Sequence, residues 1–149
     1  MNDLFVCFGQ LGNLFASAQA LRTISFVLVV DLSRPERLWA TVDTLLSGIR
    51  KRLDRVMADL TAKQSRLPGH LTAKMWQKYG EGHPDKNILM PLPVPLLMIG
   101  TKYDLFQNRE PEERKMVCKS LRFLAHMHGA SLLFVSDKVG EDGVAGDPL

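Results

Sequence analysis

Three short apolar runs, separated by long segments of helical periodicity, set the limits on what this chain can fold into. They are Ile24–Val30, Val94–Ile99 and Ser131–Val135, with Leu4–Phe8 as a weaker fourth candidate. None alternates cleanly between apolar and polar residues, which is the pattern of strands covered on both faces of a parallel sheet. After the first run, Ser33-Arg34-Pro35-Glu36 has the S-x-x-E spacing of a capping box, with proline early in the first turn where no N–H is needed. Val42, Leu46, Ile49, Leu53, Val56 and Leu60 then recur at spacings of four and three, which places them on one face of a helix predicted to pack on the sheet. A second helix is predicted from near Pro111-Glu112-Glu113 to a stop at Gly129, with Val117, Leu121, Leu124 and Ala125 as its apolar face. Strand, helix, strand, helix, strand is an α/β order, and right-handed crossovers lay such strands in a parallel sheet flanked by helices. Ligands on these sheets sit at the carboxyl ends of the strands.

The rest of the chain adds few specialised features. With 149 residues, 46% hydrophobic and 23% charged, it has the make-up of one globular domain. A domain of this length buries roughly 70% of its unfolded surface and needs no metal or disulfide to hold its core. Cys7 and Cys118 lie far apart without C-x-x-C spacing, so reduced thiols are expected and no zinc site is suggested. His126 and His128 diverge on a helix, and His70 and His83 lie in loop sequence without companions, so no metal ligands are assigned. The apolar stretch Phe26–Val30 is far shorter than the ~20 residues of a membrane span, and Met1-Asn2-Asp3 carries no basic flank. The net charge of +3 is spread along the chain, so neither nucleic acid nor membrane is expected as a partner. Arg50-Lys51-Arg52 and Arg55, interleaved with Asp54 and Asp59, read as a solvated helix face, and Trp39 as core or partial core. The expected division is a domain over 1–138, with an exposed insertion at about 63–93 holding one short helix near Leu71–Tyr79, and a disordered tail over 139–149.

Two segments carry the chemistry. Thr101-Lys102-Tyr103-Asp104 follows the second strand and Ser136-Asp137-Lys138 follows the third. Together they resemble the T-K-x-D and S-x-K guanine-recognition segments of Ras-like GTP-binding domains. That resemblance implies that Asp104 accepts two hydrogen bonds from the guanine edge, that the stem of Lys102 covers the base, and that Ser136 and Lys138 close the pocket. A carboxylate taking paired N–H donors makes a directional, charge-assisted contact. Phosphate binding in such domains uses G-x-x-x-x-G-K-[ST], and no Gly-Lys dipeptide occurs in this chain. Charged hydrogen bonds contribute about 1.5–3 kcal/mol each, whereas micromolar affinity needs about 8 kcal/mol. Thr101, Lys102, Asp104, Ser136 and Lys138 are therefore expected to be a vestigial guanine site. No catalytic residue and no resident cofactor is assigned.

A narrower resemblance follows from longer blocks. Leu21-Arg22-Thr23 leads into Phe26-Val27-Leu28-Val29-Val30-Asp31-Leu32-Ser33-Arg34-Pro35 and then Leu38-Trp39. With Pro93–Asp104 and Cys118–Leu132, these blocks resemble the light intermediate chain family of cytoplasmic dynein in its dynein-2 form. The resemblance implies a non-catalytic accessory subunit bound to the dynein-2 heavy chain, associated with microtubules indirectly. It also implies support of heavy-chain stability and complex assembly for retrograde intraflagellar transport, in the cytoplasm, cytoskeleton and cilium. Phe8-Gly9-Gln10-Leu11-Gly12 stands where the family has a glycine-containing segment, and an N-terminal truncation removing the first strand and phosphate loop is expected. Such a partial Ras-like fold would expose a sheet edge beside Phe26–Val30. The alternative is a small GTP-binding protein whose phosphate loop lies outside this sequence. A third, weaker alternative is a Ras-like adaptor unrelated to cilia.

Overall fold

A computed structural model describes residues 18–80 and 82–136. The Leu4–Phe8 strand candidate, the Phe8–Gly12 segment, Lys138 and the tail over 139–149 lie outside the described residues. The described elements run α1 (Ala18–Thr23), β1 (Phe26–Asp31), α2 (Pro35–Ala62), α3 (Leu67–Gln77), β2 (Leu96–Thr101), α4 (Tyr103–Phe106), α5 (Pro111–His128) and β3 (Ser131–Phe134). The three strands form a parallel sheet in the order β1-β2-β3, with Asp31 opposite Thr101 and Gly100 opposite Phe134. All three apolar runs are strands, shifted by one or two residues from their sequence bounds.

Because both crossovers step in the same direction, right-handed connections carry α2 and α5 to the same face of the sheet. One apolar cluster accordingly joins Leu28, Val30, Leu96 and Met98 with Val42, Leu46, Ile49, Leu53 and Val56 of α2 and Val117, Leu121 and Ala125 of α5. Leu60, at the end of the predicted stripe, is only partly buried against it. The expectation of strands covered on both faces is corrected here. Burial alternates along β2 and most of β1, and Val27 and Leu133 on the opposite face are 48% and 52% exposed. Continuous apolar runs concealed this, because the second face is apolar without being covered.

Two helix ends depart from expectation. The capping box at Ser33 does not form: Arg34 is the N-cap of α2 and no side chain caps the helix. Ser33 instead turns back to Asp31, whose Oδ1 accepts from the Ser33 amide at 2.9 Å and from its hydroxyl at 2.6 Å. Pro35 still opens the helix at its first turn. At the other end of the chain Gly129 terminates α5 in the left-handed conformation (φ 68°), as its position predicts.

The segment between α2 and β2 is more tightly held than an exposed insertion. Its helix starts at Leu67, earlier than Leu71, and Leu67, Leu71, Leu89 and Leu92 are buried. Met90 N donates to Met127 O at 2.7 Å and Leu92 N to His128 O at 3.3 Å, tying the segment to the end of α5. Arg50, assigned to a solvated face, donates instead to the Met90 carbonyl. Among the described residues no helix is long and apolar enough to cross a membrane.

Candidate functional site

The carboxyl ends of the three strands bring the two predicted recognition segments together. Val135 N donates to Gly100 O at 2.8 Å, and Tyr103 N donates to Val135 O at 3.1 Å, so the loop after β3 is zipped to the loop after β2. Gly100 makes this closeness possible. A Cβ there would stand 2.9 Å from side-chain carbons of both Leu32 and Phe134. Tyr103 wedges beneath the turn, its ring 6.0 Å from Phe106 and 5.8 Å from Phe134. Thr101 continues β2, and its hydroxyl donates across to Val30 O at 3.2 Å. Ser136 lies exposed just past β3.

Lys102 is the pivot of the loop. It adopts a left-handed backbone conformation (φ 58°) at the start of α4, which turns the chain sharply off the strand. Its ammonium donates to Asp31 Oδ2 at 2.7 Å, so its stem is drawn toward the end of β1. Burial raises the Asp31 pKa, but the hydrogen bonds from Lys102 and Ser33 and the Lys102 charge outweigh it, and the net direction is down. Arg109 closes the outer side by donating to Ser33 O at 2.6 Å while pairing with Glu113 at 3.1 Å.

Asp104 differs from its neighbours in being unsatisfied. Its Oδ1 is buried without a hydrogen-bond partner. A buried acceptor left in this state costs about 1–3 kcal/mol, which a ligand offering N–H donors would recover. The structure thus brings Thr101, Lys102, Asp104 and Ser136 to one edge. Asp31 and Ser33, which no recognition motif marked, fix the lysine. The only signal they gave was position, since Asp31 ends the first strand at the same level as Thr101.

The histidines divide as their spacing predicts, but not all stand alone. His128 is buried, its Nδ1 lying 3.2 Å from Met90 O and 3.3 Å from an Arg50 nitrogen. His126 faces the opposite way, toward Asp85 at 3.1 Å. His83, expected to lack companions, stands beside both Asp85 and His126.

A parallel β-α-β-α-β unit, its three strands flanked by helices, defines the chain as a partial Ras-like, P-loop NTPase-type α/β fold. No protein-family model matches the chain. It is 46% identical over 120 residues to cytoplasmic dynein 2 light intermediate chain 1 of Bos taurus, a match covering 80% of this chain and 34% of that protein. The Homo sapiens protein of the same name is 44% identical over the same length and the same shares. The Danio rerio protein is 42% identical over 123 residues, covering 82% and 34%. Over four-fifths of its length the chain is similar to cytoplasmic dynein 2 light intermediate chains, and it spans about a third of the length of the curated relatives it matches.

Proposed function

We propose that this chain acts as a non-catalytic accessory subunit of the cytoplasmic dynein-2 complex, supporting heavy-chain stability and assembly for retrograde intraflagellar transport. The observation that carries this reading is the 42–46% identity to dynein 2 light intermediate chains over four-fifths of the chain. Its partners in this reading are the dynein-2 heavy chain and other dynein-2 subunits, with microtubules contacted through them. Its location is the cytoplasm and cytoskeleton of ciliated cells, including the basal body and axoneme. The test is affinity purification of the endogenous protein from ciliated cells, with mass spectrometry of its companions. Recovery of the dynein-2 heavy chain in stoichiometric amount is expected, and its absence from a well-recovered bait overturns the proposal.

A second reading, a small GTP-binding protein, is favoured by one observation, the buried and unpaired Oδ1 of Asp104. In this reading the phosphate-binding loop, with its closing Gly-Lys, lies outside this sequence. Thr101, Lys102, Asp104, Ser136 and Lys138 are then its base-recognition candidates. Denaturing the purified protein and chromatographing the supernatant separates the two readings. Guanine nucleotide released at one equivalent supports the second, and none supports the first.

A further inference from the structure

We propose that His83, Asp85 and His126 form a binding site for a zinc-class divalent transition-metal ion, clipping the loop after α3 to the last turn of α5. His83 and Asp85 share one loop and His126 lies 41 residues beyond Asp85, yet each offers a ligand atom and all these atoms lie within 4.8 Å of one another. His126 Nε2 and Asp85 Oδ2 are 3.1 Å apart. An ion with tetrahedral bonds of ~2.0–2.1 Å spaces its ligands by roughly 3.3 Å, so this pair already stands at the required separation. Two imidazoles and one carboxylate suit zinc, nickel or copper, and not the all-oxygen shells of magnesium or calcium.

The surroundings hold the ligands in place. Tyr79 packs edge-on against both imidazoles, with ring centroids 5.5 Å from His83 and 6.1 Å from His126, and its hydroxyl donates to His126 O at 3.0 Å. The Asp85 amide donates to His83 Nδ1 at 3.1 Å, which orients that ring. Metal binding exchanges this bond for a coordinate one, because a ring nitrogen that carries the metal or a proton no longer accepts. The site lies at the carbonyl end of α5, where a cation is favoured by the helix dipole. The side chains of His126 and Asp85 are 40% and 46% exposed, leaving an entry path and room for a water as fourth ligand.

The test uses the full 149-residue chain, with zinc in titration calorimetry and cobalt(II) as the spectroscopic probe. Expected are one zinc per chain with a dissociation constant at or below about 10 µM, and visible cobalt bands of tetrahedral type without the thiolate charge-transfer band that Cys7 or Cys118 would give. His83→Gln and His126→Gln should each weaken binding by about tenfold or more, while His70→Gln, in an exposed histidine outside the cluster, leaves it unchanged. Circular dichroism checks that the variants are folded, and if either is not, the cobalt spectrum of the parent chain decides alone. Absence of stoichiometric zinc binding at ~100 µM metal, a thiolate band, or folded His83→Gln and His126→Gln proteins that bind like the parent would overturn the proposal.

Discussion

Single side chains at the strand ends and beneath α5 set the pH response. The Asp31 carboxyl is held down by Lys102 and Ser33 against the opposing effect of burial, so its folded-state pKa lies below the unfolded value of about 3.8. Its contribution is present above that value and is lost as pH falls through the folded pKa. Because Lys102 is 42% exposed, the ion pair is screened and contributes about 1 kcal/mol. Lys102→Met should therefore lower stability by about 1 kcal/mol near neutrality, with the gap closing in acid. Denaturant melts at several pH values measure this, and an equal gap throughout would refute the pairing. His128 acts in a separate window. Burial lowers its pKa and the Arg50 charge adds to that, while the Met90 carbonyl and Asp43 oppose it. The folded ring stays neutral where the unfolded one protonates, so stability falls as pH drops below about 6.5. His128→Phe should flatten the stability profile below about pH 6.5 by up to one proton, read from the slope of unfolding free energy against pH.

At the scale of elements, two glycines should respond in opposite directions. Gly48 sits in the middle of α2 with open space where a Cβ would go, so Gly48→Ala should raise stability by about 0.5–1 kcal/mol. Gly129 ends α5 at positive φ, and a Cβ there would meet the Tyr79 hydroxyl at 2.8 Å and Pro91 Cβ at 3.3 Å. Gly129→Ala should cost about 1–3 kcal/mol through backbone strain and overpacking. Thermal melts of the pair provide the check, and a stabilised Gly129→Ala protein would contradict the cap. Gly129 was readable in sequence because a helix stop is a local event, as was the stripe from Val42 to Leu60. The capping box at Ser33 is absent because the Ser33 amide and hydroxyl both donate to the Asp31 carboxylate, which turns the residue toward the strand end, and nothing local in the S-x-x-E spacing announces that partner. The T-K-x-D and S-x-K segments were visible as motifs, whereas the anchoring of Lys102 depends on a partner 71 residues away. The nearness of His83 to His126 is not legible in sequence for the same reason, since nothing local brings a loop to the end of α5.

For the molecule as a whole, the one-sided placement of α2 and α5 has a consequence for association. Phe26 N donates to Pro95 O and Leu32 N to Thr101 O, both toward β2. Backbone groups alternate in direction along a parallel strand, so the amides of Val27 and Val29 point to the other edge. Among the described residues that edge has no partner strand, and the side chain of Val27 is 48% exposed. At the far edge Leu133 is 52% exposed and Val135 42%. An apolar edge strand whose one charge, Asp31, stands at its last residue and is paired with Lys102 templates pairing with another chain. The isolated 149-residue protein should therefore self-associate in a concentration-dependent way. Val27→Lys places a charge on the edge and the exposed face together, and should shift the protein toward monomer. Leu133→Lys makes the same change on β3, the other edge of the sheet. If pairing through the β1 edge drives association, Val27→Lys acts and Leu133→Lys does not; if the apolar face as a whole drives it, both act. Sedimentation velocity over a concentration series distinguishes the two, and a monodisperse parent monomer with a cooperative melt would show that this edge is already protected.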